Sequence, residues 1–291
     1  ILATFPKSNI ELFIEIGIPN RSFLEGKPSI YANHNTGSNI GLRKKNIFGI
    51  ESMLIGLEYT RLVQSIYYNI IPSSNWYDNI KYNFLKPYKV KNLIRFGRKF
   101  DGGYLVCSDA IQKIENLITL GVGDDVSFEI DIDRKCSLNK IHLYDYTVNH
   151  ILFIKIIVKY IRRIITFRTK IDNLVHSIKN YKNFIKFKNK PNVKLFKNKV
   201  VKNIKENIDI KLDQILSNIK GTNNLLKIDI EGSEYEIIDD ILSNSSIINM
   251  LVIEFHWIND KNEIFIDSIK KLKNKFDIIH IHPNNYRQKE D

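Results

Sequence analysis

Carboxylates and an imidazole gather at two points in this chain where a short apolar run stops. In Asn224-Leu-Leu-Lys-Ile-Asp-Ile-Glu-Gly-Ser-Glu234 the run ends in Asp229 and Glu231, and Gly232 then opens a helical pattern. A second run, from residue 250, ends in Glu254 and His256. Strand ends of a parallel α/β sheet face the ligand crevice, so all four side chains are expected on one rim. Oxygen ligands joined by an imidazole suit Mg2+ or Mn2+ better than a structural zinc, with Asp229 and Glu254 as the expected metal ligands. A divalent ion there lowers the pKa of a substrate hydroxyl, while His256 is placed to take the proton directly. Asp229 and His256 are thus the candidate catalytic pair. The plainer reading is that Glu231 and Glu234 are favourable acids at a helix start and His256 is a satisfied buried histidine.

A second constellation lies upstream. Gly121-Val-Gly-Asp124 follows a strand pattern and precedes a helical one, the place where a nucleotide-type cofactor needs close backbone approach and free amides. Asp145 closes the next strand 24 residues beyond Gly121, near the spacing of ~20 at which an acid holds a ribose. Gly121, Gly123 and Asp145 are therefore the candidate cofactor residues. A dinucleotide fingerprint wants a third glycine at 126, where Val stands, and acids at 124 and 125 repel phosphates but not a sulfonium. That pattern favours S-adenosylmethionine. His280 and His282 alternate along the last strand and share a face; with Glu231, His282 is the candidate substrate contact, and a structural histidine pair is the competing reading. Lys227, inside an apolar run, is expected to snorkel or to pair with an acid.

These residues need a scaffold, and the second half of the chain supplies the pattern for one. Apolar runs at 117–120, 140–144, 193–196, 225–230, 250–255 and 277–282 alternate with helical stretches at 126–134, 147–188, 211–219, 233–242 and 262–275. Such alternation predicts parallel strands with helices on both faces. The run Phe96-Gly-Arg-Lys-Phe-Asp-Gly-Gly-Tyr104 reads as a β-hairpin in which Asp101 and Tyr104 are turn residues or ligand contacts. Residues 1–90 read as an accessory segment of unknown role, with turns around 32–37 and one helical candidate at 50–68.

A chain of 291 residues, 43% apolar, can bury a sizeable core. Cys107 and Cys136 are too few for a disulfide framework or a four-ligand zinc site, which fits a reducing, cytoplasmic setting. No apolar run reaches the roughly 18 residues of a membrane span. The net charge of +12 is a local property: residues 151–205 hold 16 Lys and Arg against the single acid Asp172. Nucleic acid is discounted as a partner, because the cations lack an aromatic stacking platform and the Asn, Ile and Lys bias suggests compositional pressure. A core-packed helix with a solvated face is the usual cause of such a stretch; peripheral contact with an anionic membrane through residues 151–190 is the sharper alternative.

Taken in order, several segments resemble FkbM-like S-adenosylmethionine-dependent methyltransferases. They are Arg95-Phe-Gly-Arg-Lys-Phe-Asp-Gly-Gly-Tyr104, Gly121-Val-Gly-Asp-Asp-Val-Ser-Phe-Glu129, Leu143-Tyr-Asp-Tyr-Thr147, Lys227-Ile-Asp-Ile-Glu-Gly-Ser-Glu234, Ile253-Glu-Phe-His256 and His280-Ile-His-Pro-Asn-Asn285. The resemblance implies a class I methyltransferase fold over 91–291: a Rossmann-like, mostly parallel sheet of order 3-2-1-4-5 plus an edge strand. It also implies methylation of a hydroxyl on a sugar, glycan or other small acceptor, with the donor at Gly121, Gly123 and Asp145 and the 229–234 motif at the reaction face. The non-enzymatic alternative is a catalytically weak methyltransferase-like scaffold that anchors glycan-modifying partners at a membrane. Because the chain stops after the sixth strand and does not begin with Met, the expectation is a fragment, with one sheet edge lacking its antiparallel cover unless the accessory segment supplies it.

Overall fold

Runs such as Asn224–Ile228 and Asn116–Leu120 are buried at every position, the signature of strands covered on both faces. The computed structural model of the chain describes residues 11–17, 84–88, 90, 92–98, 102–258 and 260–284, with the backbone alone at 11–17 and 282–284. In chain order the elements are β1 (Glu11–Gly17), β2 (Leu93–Phe96), β3 (Tyr104–Cys107), α1 (Ser108–Ile111), β4 (Asn116–Leu120), α2 (Ser127–Lys135), β5 (Lys140–Tyr144), α3 (His150–Ile165), α4 (Ile171–Lys188) and β6 (Val193–Phe196). There follow β7 (Lys199–Val200), β8 (Asp209–Ile210), α5 (Leu212–Ser217), β9 (Asn224–Ile228), a 3-10 turn (Glu234–Ile237), α6 (Ile238–Ser243), β10 (Ile248–Phe255), α7 (Asn262–Leu272) and β11 (Asp277–Asn284).

One seven-stranded sheet runs β11-β1-β10-β9-β4-β5-β6. The five strands from β10 to β6 are parallel, which is the expected 3-2-1-4-5 order. The expected edge differs. β11 does not pair with β10, because β1 lies antiparallel between them, Leu12 opposite Phe255 and Ile14 opposite both Ile253 and Ile281. The alternating Glu11-Leu-Phe-Ile-Glu-Ile-Gly17 satisfies the backbone groups of both neighbours, and this strand was not anticipated. Part of the N-terminal segment therefore belongs to the sheet. The turns at 32–37, the helix at 50–68 and the turn residue Asp101 lie outside the described residues.

Side-chain alternation divides the core in two. Ile118, Leu120, Leu226, Ile228, Leu251 and Ile253 face α5, α6 and α7 in one cluster. Leu117, Leu225, Met250 and Val252 face the β2–β3 hairpin and α2 in the other. By strand parity Thr119, Lys227, Asp229 and Glu254 share the second face. The hairpin forms as expected, Phe96 opposite Tyr104. Cys107 and Cys136 are both buried thiols, and the Cys136 thiol donates to Ile111 O (3.2 Å).

Two helical stretches are broken where periodicity suggested continuity. The stretch 147–188 is two helices, because α3 ends in a Schellman motif: the Arg168 amide donates to Arg163 O (2.7 Å) and the Phe167 amide to Ile164 O (2.9 Å). The stretch 233–242 begins as the 3-10 turn before α6. Among the described residues no helix is long and apolar enough to cross a membrane.

Candidate active site

Gly121 carries the chain out of β4 with φ +82, and a Cβ built on it would stand 1.6 Å from the Asp229 carbonyl oxygen. No side chain fits there. The Gly121 amide donates to Tyr144 O (2.9 Å) and the Asp229 amide to Leu120 O (2.8 Å), so the ends of β5, β4 and β9 are tied at one level of the sheet. Gly123 is different: its φ is +62, yet a Cβ there would meet nothing within 4 Å among the described residues. The loop thus exposes backbone to open space at the mouth of α2, the cradle that a cofactor needs. Below it, Asp125 accepts from the Ser127 amide (3.0 Å) and hydroxyl (2.9 Å) and lies 3.1 Å from Arg98 Nε. The hairpin's Arg98 thereby neutralises one of the two acids beside the loop.

Asp145 stands beside this loop as expected, but its carboxylate is already engaged. Oδ2 accepts the amides of Val122 (2.9 Å) and Gly123 (3.0 Å). Oδ1 accepts the Thr147 amide and hydroxyl (2.7 Å each) and the Val148 amide (3.1 Å). Burial raises its pKa, but the Thr147 hydroxyl and the backbone amides outweigh that and hold it below the usual carboxylate range. In this geometry Asp145 shapes the glycine loop.

The acids of β9 and β10 meet around His256. Its Nε2 lies 3.6 Å from Asp229 Oδ1, 3.8 Å from Glu231 Oε2 and 4.0 Å from Glu254 Oε1. On the other side of the ring, Nδ1 lies 3.3 Å from Glu234 Oε1. Asp229, Glu254 and His256 each offer a ligand atom within 4.8 Å of the others, a spacing able to hold a metal ion. Burial lowers the His256 pKa, yet the hydrogen bond and charge of Glu234, with Asp229 and Glu231 behind, push it up to about 9. A ring so surrounded favours its protonated form, and only its neutral form can take a proton from an acceptor. His280 is buried and neutral, its pKa lowered to about 3 by burial and by Arg95. The side chain of His282 lies outside the described residues.

Several supports were not anticipated. Glu234, fully buried, accepts the amides of Gly232 and His256 (2.7 Å each), so it clamps the loop after β9 to the end of β10. The Tyr235 hydroxyl donates to His256 O (2.7 Å), and Lys261 Nζ donates to Gly232 O (2.9 Å). From the hairpin, the buried Tyr104 hydroxyl donates to Glu254 Oε2 (3.1 Å). Lys227 pairs with Glu129 at 3.3 Å and lies over the rings of Tyr104 and Phe128, as expected for a buried cation. Glu231 holds φ +52 and Trp257 φ +57, left-handed conformations that bulky residues keep only where surrounding contacts impose them. The spacing Asp229-x-Glu231-x-x-Glu234 was the one sequence signal for the clamp.

A parallel 3-2-1-4-5 sheet with a glycine loop after its first strand and an acidic cluster after its fourth and fifth defines a Rossmann-like methyltransferase fold. Residues 91–285 match the family described as Methyltransferase FkbM domain. The chain belongs to that family, whose chemistry is methyl transfer. No curated protein and no solved structure matches it.

Proposed function

We propose that this chain moves the methyl group of S-adenosylmethionine to a hydroxyl oxygen of a sugar, glycan or other small acceptor, with Asp229, Glu254 and His256 holding Mg2+ or Mn2+. The observation that carries the reading is the join between the two halves of the rim. Gly121 packs on the Asp229 backbone with no room for a Cβ, so whatever lies along the 121–123 loop ends beside the acidic cluster.

The residues fit both groups. Open space over Gly123 suits a ligand in close backbone contact, and carboxylates on the rim favour a sulfonium electrostatically. Three convergent donors with Glu234 behind the imidazole reproduce the way buried carboxylates orient metal-bound histidines. When bound, the donor supplies an activated methyl group and the ion supplies charge that makes a hydroxyl more acidic. The protein's own task is mainly positioning. Glu234 fixes the ring so that Nε2 faces Asp229 and Glu254, and Tyr104 holds Glu254. Glu231, 62% exposed and nearest to solvent in the cluster, is the carboxylate placed to receive the acceptor's proton.

Chelation tests the metal. EDTA is expected to abolish turnover, Mg2+ or Mn2+ to restore it, and Asp229→Asn to reproduce the chelated state. Turnover that survives thorough chelation would remove the ion from the reaction.

A further inference from the structure

We propose that the α3–α4 hairpin is a docking surface for an anionic lipid membrane, a property independent of the reaction at the rim. On α3 only Phe153 is buried. Ile151, Ile154, Val158, Ile161 and Ile165 are all exposed, and their spacing of three and four residues aligns them in one stripe. Lys155, Lys159, Arg162 and Arg163 are exposed as well, and at 100° per residue they fall together along one flank of that stripe. The apolar stripe thus faces solvent with cations beside it, the arrangement of helices that lie in a membrane interface.

The tip of the hairpin supplies an independent observation. Phe167 occupies the position after the helix cap at φ +54, the left-handed site of the Schellman motif that glycine normally fills. There Cβ crowds the backbone, and the ring gains nothing from the fold in return, being 96% exposed. Ile165 and Ile171 beside it are also exposed, and Arg168 and Lys170 complete a basic collar. A strained, solvent-facing aromatic inside such a collar matches an element that inserts between headgroups, where an aromatic ring is favoured and lysine and arginine meet anionic lipid.

Charge decides among occupants. Two copies joined along the stripe would set Lys155, Lys159, Arg162 and Arg163 beside their own equivalents, a like-charge contact that disfavours pairing. Nucleic acid would leave the aliphatic stripe in water. An anionic bilayer satisfies both the apolar and the cationic parts.

Vesicle flotation of the full chain tests the proposal. Binding is expected to vesicles of phosphatidylcholine mixed with phosphatidylserine, not to phosphatidylcholine alone, and to weaken with salt. Arg162→Ala with Arg163→Ala is expected to lower binding roughly 25-fold, about fivefold for each charge removed. Phe167→Gly separates docking from folding, since glycine suits the cap: its melting temperature should hold or rise while vesicle binding falls. Failure to float with anionic vesicles at low salt, or undiminished flotation of Phe167→Gly, would overturn the proposal. So would a stripe-dependent dimer, or oligonucleotide binding, in protein that ignores vesicles.

Discussion

Glu234 accepts two backbone amides and faces the imidazole of His256, so one carboxylate sets both the loop geometry and the ring's charge. Glu234→Gln keeps the shape but offers a single acceptor oxygen. The cost is expected to be about 1–3 kcal/mol for a buried amide left short of a partner, read by denaturant unfolding. The His256 titration midpoint, followed by NMR, should fall from its raised value of about 9; an unmoved midpoint would show that other groups hold the proton. Asp145→Ala should likewise destabilise the fold, by roughly 1.5–3 kcal/mol or more, because five hydrogen bonds end on that carboxylate. Donor affinity should fall with it, as the glycine loop loses its anchor. If calorimetry shows weaker donor binding with unchanged stability, direct ligand contact is its role instead. Asp229, Glu254 and His256 were legible because each closes an apolar run. Glu234 and Tyr104 were not, since their work depends on contacts that only the folded sheet creates.

At the scale of the element, the glycine loop makes a sharper contrast. Gly121→Ala puts a methyl group into the Asp229 carbonyl and is expected to unfold the protein or lower its melting temperature markedly. Gly123→Ala meets no atom of the described residues within 4 Å, so its stability cost should stay at about 1–2 kcal/mol, the penalty of a left-handed backbone. Thermal melts of the two variants check this, and similar losses would contradict the assignment of Gly123 to open space. The parallel strands and most helices were readable from periodicity because they are fully buried or amphipathic. The break at Phe167 was not, since no glycine marks it, and neither was the 3-10 start at Glu234, where the clamp overrides helical propensity. β1 went unread because a single alternating run far upstream carries no sign of which strands it joins.

Across the whole molecule, buried titrating groups set the pH response. His280 has its pKa lowered to about 3, so the unfolded chain binds the extra proton once pH drops below the ordinary histidine value near 6.5. Its contribution to stability is full above that value and is lost as pH falls from there toward 3, at up to about 1.4 kcal/mol per pH unit. Asp145, with its pKa also lowered, adds a loss that begins only below the ordinary aspartate value. His280→Asn should flatten the profile between pH 6 and 4 in chemical unfolding, and an unchanged slope would exclude the histidine as its source.

The measurement that bears most directly on methyl transfer at this rim is calorimetric titration of the folded chain with S-adenosylmethionine, run beside Gly123→Ala. Saturable binding by the native chain is expected, weakened roughly tenfold or more when a methyl group enters the cradle, with the variant's fold intact by circular dichroism. Folded protein that takes up no donor, or equal affinity in both forms, would contradict a donor site along the 121–123 loop.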